Sequence, residues 1–348
     1  MTRATFAVPG NIETPTGGYG YARRLLVEAP GVGLDLAHLQ LPDGVPEPGE
    51  AGIDGTVRLL GGAAKDAPIL IDGLALGVLP PEMLRRAPGP VVALCHHPLA
   101  LETGIDPDAA RRYRASECAA LAVASAVIAT SQATAAILRD QYDVPVDRLT
   151  VAPPGTDPAP QAKGSGGPGV AILSVGSLTP RKGHDRLIAA LAELTDLDWH
   201  LTIVGPADRD RVHADALLAA IEAAGLAGRV TLAGALDAAE LDAAYDRADL
   251  FALASRYEGF GMAYTEAMAH GLPVIGCESG AVAEATRGAA LLMGQGDGAG
   301  LRAALRRAIA DADARHALAQ RCRAAAAHFT RWPETVAIVA GVLNGVSA

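Results

Sequence analysis

Short apolar runs alternate with amphipathic stretches along almost the whole chain, and this alternation stops once and then begins again. Residues 5–8, 57–60, 69–72, 91–96, 126–130 and 149–152 read as strands, with helical patterns at 108–120 and 131–142 between them. Ser131 is placed to cap the second helix. The stretch 158–169, PAPQAKGSGGPG, breaks the pattern as a linker would. Strands at 170–175, 199–204, 230–233, 250–254 and 273–276 then alternate with helices at 185–194, 211–224, 238–248 and 263–270. A last helix is expected at 328–343, set off by the Trp332-Pro333 break. Strands alternating with helices predict parallel sheets covered on both faces. The chain therefore divides into two doubly wound α/β domains, 1–160 and 168–325, joined by a linker at 161–167 and followed by a helical segment at 326–348. In open sheets of this kind ligands sit at the carboxyl ends of the strands, which places the expected site in a cleft where two such edges face each other.

The 348 residues suffice for two cores of ordinary size. The charge balance excludes one class of partner. Residues 1–165 hold 13 basic and 18 acidic groups and the remainder 16 and 21, so neither half has the basic footprint of a nucleic-acid binder. Cys95, Cys118, Cys277 and Cys322 form no CxxC pair and read as reduced core thiols, which points to the cytoplasm. The opening MTRATFAVPGN has no signal-peptide apolar region, and no apolar run reaches the roughly 20 residues needed to span a bilayer. Arg111, Arg112 and Arg114 on one expected helix leave peripheral membrane contact open.

Four segments carry chemistry. The strongest is Glu258-Gly-Phe-Gly-Met-Ala-Tyr-Thr-Glu266, which follows a strand and opens a helix. Its glycines let backbone approach a ligand, and the first N–H groups of the helix suit an anion. A carboxylate accepts two hydroxyl hydrogen bonds, which fits a vicinal diol, so Glu258 and Glu266 at the two ends of the turn suit a sugar and a ribose. Against this stands the plainer possibility of two surface glutamates. The second segment is Val175-Gly-Ser-Leu-Thr-Pro-Arg-Lys-Gly-His184, where Lys182, with Arg181 beside it, stands ready to neutralise a diphosphate. In the third, Pro15-Thr-Gly-Gly-Tyr-Gly20, the glycines lack dinucleotide-fingerprint spacing, yet Gly17 and Gly18 follow the first strand where donor phosphate would be touched. The fourth is Val91–Glu102, whose His96 and His97 end an apolar strand at the expected cleft. The alternative for each is a buried, satisfied structural histidine. No DxD stands in a convincing metal context, since Asp208-Arg-Asp210 has no helper ligand.

Taken together these segments resemble the family 4 retaining glycosyltransferases of the GT-B fold. The likeness runs through the N-terminal GG turn, ATSQATAAIL, VAPPGTD, SLTPRKGHDRLIAAL, EGFGMAYTEAMAHGLPVIG with its Glu-x7-Glu spacing, and the closing HFTRWPETV. The resemblance implies two Rossmann-like domains facing a cleft, with a C-terminal helix that crosses back to the first. It implies transfer of a sugar from a nucleotide-diphosphate sugar, with retention at the anomeric carbon and no essential metal or other cofactor. Glu258 would contact donor sugar hydroxyls and Glu266 the ribose. Phe260, Gly261 and Met262 would offer N–H groups, Lys182 would bind the diphosphate, and His96 would meet the transferred sugar. Gly17 and Gly18 would lie against phosphate and acceptor, with His97 and Glu102 on the acceptor side. The acceptor stays open among a sugar, a small molecule and a lipid. One departure stands out: Ser177 occupies the place where the family commonly has a second diphosphate-binding arginine, a role that Arg181 could take. Other readings compatible with the fold are a sugar phosphorylase, a nucleotide-sugar epimerase or a sugar-binding protein without catalysis.

Overall fold

The computed structural model describes residues 2–347. These residues form two compact units, one running to Gly155 and resuming at Thr330, the other Thr156–Phe329.

The first unit is built on a six-stranded sheet of β1 (Thr2–Pro9), β2 (Leu34–Leu41), β3 (Ile69–Asp72), β4 (Val91–Cys95), β5 (Ala126–Ala129) and β6 (Leu149–Val151), in the order β2-β1-β3-β4-β5-β6. Every pairing is parallel. The central strands β3, β4 and β5 are buried throughout, as expected of strands covered on both faces. Ser131 caps the helix Gln132–Gln141 by accepting from the Thr134 N–H.

Two expectations need correction here. Residues 57–60 are not a strand but the last turn of the helix Gly49–Gly61, whose buried residues Thr56 and Leu60 are four apart on one face. The closing helix runs over Trp332–Ser347, so the Trp-Pro pair opens it rather than preceding it. Proline is tolerated there because the N–H it lacks would have no intrahelical partner. This helix returns to the first unit: Trp332, Val336, Val339 and Leu343 are buried, and Thr335 donates its hydroxyl to the Pro153 carbonyl at 2.7 Å.

The second unit carries β7 (Val170–Val175), β8 (Trp199–Val204), β9 (Val230–Gly234), β10 (Leu250–Leu253), β11 (Val274–Cys277) and β12 (Leu291–Met293) in the order β12-β11-β10-β7-β8-β9, again all parallel. The Gly/Pro-rich stretch at its start is irregular but hydrogen-bonded: Ala162 donates to the His270 carbonyl, and Lys163 and Gly164 to that of Asp246.

Each sheet has one place where the chain direction of strand addition reverses. In the first unit it lies between β1 and β3, in the second between β7 and β10. The carboxyl edge of the strands at such a reversal point is where ligands bind in this architecture.

Candidate active site

In the second unit the two loops that leave β7 and β10 meet at the reversal point. The β7 loop ends in a short turn, Pro180–Lys182, and Gly183 follows with φ +66°. A Cβ at Gly183 would lie 1.9 Å from the Ala254 carbonyl oxygen, so only glycine lets this loop press against the end of β10. The loops are then sewn together. Arg256 donates its N–H to the Arg181 carbonyl at 2.7 Å. Its guanidinium forks onto Asp185 at 2.8 and 2.6 Å.

The result is a convergence of charge on Glu258. Lys182 Nζ donates to both carboxylate oxygens, at 2.8 and 3.1 Å. The Ser255 hydroxyl donates to Oε1 at 2.6 Å. Arg181 Nη1 lies 3.5 Å from Oε2 and donates to the Tyr257 carbonyl at 3.2 Å. Side chains of Lys182 and Glu258 are only 14% and 6% exposed, so this pair is shielded from water. Burial pushes the Glu258 carboxyl up, but the charges of Lys182 and Arg181 and the hydrogen bonds outweigh it and hold the group below the usual range. Burial lowers Lys182, the neighbouring Arg181 charge adds to this, and Glu258 opposes it. Glu258 is thus no exposed surface charge.

Eight residues on, Glu266 projects from the helix Met262–Ala269 and is half-buried. It accepts from the Tyr245 hydroxyl at 3.1 Å. Burial raises its carboxyl, partly offset by Tyr245 and the Lys182 charge, while Asp242 and Asp157 add to the rise. The two glutamates therefore sit at opposite ends of one turn in different electrostatic surroundings. Phe260 and Gly261 lead into the helix that Met262 begins; Gly261 has φ +106° at the N-cap, which turns the chain into the helix without a capping side chain. The first N–H groups of that helix have no intrahelical partner.

In the first unit, Thr16 caps the helix Gly17–Glu28 by accepting from Tyr19 N–H. A Cβ on Gly18 would lie 3.6 Å from His96 Cδ2, so that helix start packs beside the imidazole. His96 Nε2 is 3.6 Å from Asp72 Oδ2. Burial lowers the His96 imidazole, and the Asp72 charge pulls the other way. His97 Nε2 lies 3.9 Å from Glu102 Oε2, too long for a hydrogen bond, and the Glu102 side chain is about half exposed at 49%. The buried Glu117 carboxylate accepts from Leu99 and Ala100 N–H groups at 2.6 and 3.2 Å, holding the loop that follows the two histidines. Of the three arginines at 111–114, Arg111 pairs with Asp108 and Arg114 stacks on Tyr142.

Among the described residues no group of three or more His, Cys, Asp or Glu side chains is arranged to hold a metal ion. No helix among them is long and apolar enough to cross a membrane. Ser255, Tyr245, Asp72 and Glu117 were not singled out from the sequence, although each touches an anticipated residue or its loop.

Two family models match the chain: Glycosyltransferase Family 4 over residues 72–160 and Glycosyl transferases group 1 over 157–325. This is a GT-B-fold chain of those two glycosyltransferase families. The GT-B chain is 31% identical to a D-inositol 3-phosphate glycosyltransferase of Nocardia farcinica over 245 residues, 66% of this chain and 53% of that protein. It spans about half the length of the curated relatives it matches. Among solved GT-B structures, sucrose-phosphate synthase from Thermosynechococcus elongatus superposes with a TM-score of 0.81 at 22% identity, covering 99% of this chain and 98% of that one. The HepE protein of Anabaena, solved with UDP and glucose, gives 0.77 at 19% identity, with 99% and 100% covered. At such identities these two likenesses speak to the fold.

Proposed function

We propose that this chain transfers a sugar from a nucleotide-diphosphate sugar to an acceptor, with retention of anomeric configuration and without a metal ion. The observation that carries the reading is the buried cluster of Lys182, Arg181 and Glu258 at the reversal point of the second sheet. Leaving-group charge on a diphosphate needs a fixed cation in a dry place, and Lys182 offers one. Arg181, already aimed at the Glu258 loop, supplies the second cation in place of the arginine missing at Ser177. Phe260, Gly261 and Met262 add backbone N–H groups at a helix start. The family membership and the UDP and glucose bound by HepE support a nucleotide-sugar donor.

The cluster also suggests how donor binding is coordinated. A carboxylate has about four acceptor positions. In Glu258, Ser255 takes one and Lys182 two, at 2.6, 2.8 and 3.1 Å. When Lys182 turns to the diphosphate it releases two positions, enough for two sugar hydroxyls. Diphosphate binding would thus expose the sugar-binding carboxylate. Glu266 serves the ribose, and in the first unit His96 serves a sugar hydroxyl, with Gly17 and Gly18 giving a bare backbone edge. His97 and Glu102 are assigned to the acceptor.

In the reaction the bond from the anomeric carbon to the diphosphate oxygen breaks as the acceptor oxygen bonds on the same face. The acceptor proton passes to the departing phosphate oxygen, so no protein nucleophile is required. The test is a panel of nucleotide-sugars incubated with acceptors in excess chelator, following nucleoside diphosphate release and the product anomer by NMR. Retained product under chelation is expected. Release from none of the panel, an inverted product, or activity restored only by Mg²⁺ would each defeat the corresponding part of the proposal.

A further inference from the structure

Asp72 ends β3 beside the reversal point of the first sheet, and His96 directly follows the neighbouring strand β4. The two strands run in register, with Asp72 opposite Leu94. The Asp72 carboxylate is divided between two tasks. Its Oδ1 accepts the Leu74 N–H at 2.9 Å and so caps the short helix Gly73–Leu76. Its Oδ2 points to His96 Nε2 at 3.6 Å. That nitrogen is buried and has no hydrogen-bond partner. Asp72 is 4% exposed, so water is a poor substitute for the missing bond.

The ring has little freedom to turn away. Tyr21 meets it edge-on, with centroids 5.1 Å apart and an interplanar angle of 81°. Tyr21 is itself fixed, donating its hydroxyl to the Ala152 carbonyl at 3.0 Å. At the start of the helix Gly17–Glu28, a Cβ on Gly18 would already lie 3.6 Å from Cδ2, the carbon bonded to Nε2, so there is little spare room on that side. About a quarter of the His96 side chain, 24%, remains exposed. An ionised carboxylate can only accept, so a neutral ring facing it must carry its proton on Nε2.

We propose that Asp72 is a positioning residue that fixes His96 as the Nε2–H tautomer, leaving Nδ1 as the acceptor for a sugar hydroxyl. The second half rests on the glycosyl-transfer reading; the first half does not. A slight closing of the 3.6 Å gap completes the Nε2–H bond to Oδ2. The hydroxyl that meets Nδ1 must then donate, which sets the polarity of sugar recognition at this point.

The variant that tests this is Asp72→Asn. Asparagine is as good a helix cap as aspartate, so its carbonyl oxygen keeps the Leu74 N–H. Its amide NH₂ then faces His96. A donor now stands where an acceptor stood, so Nε2 must give up its proton and the ring switches to Nδ1–H. A merely structural role for Asp72 would not move the tautomer. The full chain is labelled with ¹⁵N-histidine, and His96 is assigned among the nine histidines by its loss in His96→Gln. Wild type should show a pyrrole-like Nε2 and a pyridine-like Nδ1, and Asp72→Asn the reverse. Transfer by Asp72→Asn should fall on the order of 10-fold, because the sugar hydroxyl must now accept from Nδ1–H and gives up the hydrogen bond it donated. An Nδ1–H ring in the wild type overturns the proposal, whatever the variant does. So does an Asp72→Asn protein that folds with its tautomer unchanged. If the tautomer switches but neither protein releases nucleoside diphosphate from any nucleotide-sugar, the role of Asp72 stands and the glycosyl-transfer reading falls.

Discussion

Removing either member of the Lys182–Glu258 pair should cost far more than removing both. Their side chains are 14% and 6% exposed, so deleting one leaves the other charged in a place water barely reaches. Breaking a buried pair in this way costs about 3–5 kcal/mol, whereas an exposed pair is worth about 1 kcal/mol at most. Lys182→Met falls toward the lower end, because Arg181 at 3.5 Å still compensates part of the carboxylate charge. Glu258→Gln falls toward the upper end, since it leaves two cations facing each other. The double variant removes one charge of each sign with similar shapes, and should cost only about 1–2 kcal/mol, giving a coupling of roughly 4 kcal/mol or more. The chain has two tryptophans, Trp199 in the second unit and Trp332 in the first. In a Trp332→Phe background, Trp199 fluorescence therefore reports urea unfolding of the unit that holds the pair. The pH dependence supplies a sign test. In the wild type the Glu258 carboxyl lies below its unfolded value, so its contribution is present above that value and is lost as pH falls through the folded one. Without Lys182, only Arg181 and Ser255 oppose burial, so the carboxyl rises and less stability is lost as pH falls. A coupling below about 1 kcal/mol, or the same pH slope in both proteins, would refute the argument that this is a shielded pair.

The two glutamates should separate kinetically: Glu258→Ala should lower kcat strongly, whereas Glu266→Ala should mainly weaken nucleotide binding by about 1.5–3 kcal/mol, the usual loss for a hydrogen bond to a charged group. Isothermal titration with nucleoside diphosphate alongside steady-state rates checks this, and equal effects on both quantities would undo the assignment. Glu117 gives a stability prediction: burial lifts its carboxyl from 4.5 to about 6, against the pull of the Leu99 and Ala100 N–H groups. A raised folded value means its contribution is complete below 4.5 and is lost as pH passes 6, so Glu117→Gln should gain about 2 kcal/mol on wild type between pH 4 and 7.5. Trp332 fluorescence in a Trp199→Phe background measures it, and a wild-type-to-variant difference independent of pH contradicts the burial argument.

Strands in the middle of a sheet announce themselves by sequence, because most of their positions are apolar. Residues 69–72, 170–175 and 199–204 were anticipated at their observed limits for that reason. The failures have an equally local cause. Val57-Arg-Leu-Leu60 is apolar enough for a strand, but so short a run also fits the buried stripe of a helix, and the packing of Thr56 and Leu60 decides for the helix. β2 was missed because it is an edge strand, pairing with β1 alone, and its buried residues Leu34 and Leu41 stand at its two ends. The start of the closing helix was misjudged by treating Trp332-Pro333 as a break, when proline in a first turn is a start signal.

The residues of the site divide by a similar rule. Glu258, Glu266, Lys182 and Arg181 were legible because glycines surround them, and those glycines are demanded by backbone contacts such as Gly183 against Ala254. Their partners were not. Ser255 stands three residues before Glu258, yet nothing local says its hydroxyl turns toward that carboxylate. Tyr245 reaches Glu266 from 21 positions away, and Asp72 meets His96 from the adjacent strand. Such contacts are set by strand order, and strand order depends on which crossovers the whole unit can pack. A motif can therefore mark where charge is needed, but the groups that orient that charge are chosen by topology. Asp72 shows the difference: in sequence it is one polar residue ending an apolar run, and only the pairing of β3 with β4 gives its second oxygen an imidazole to face.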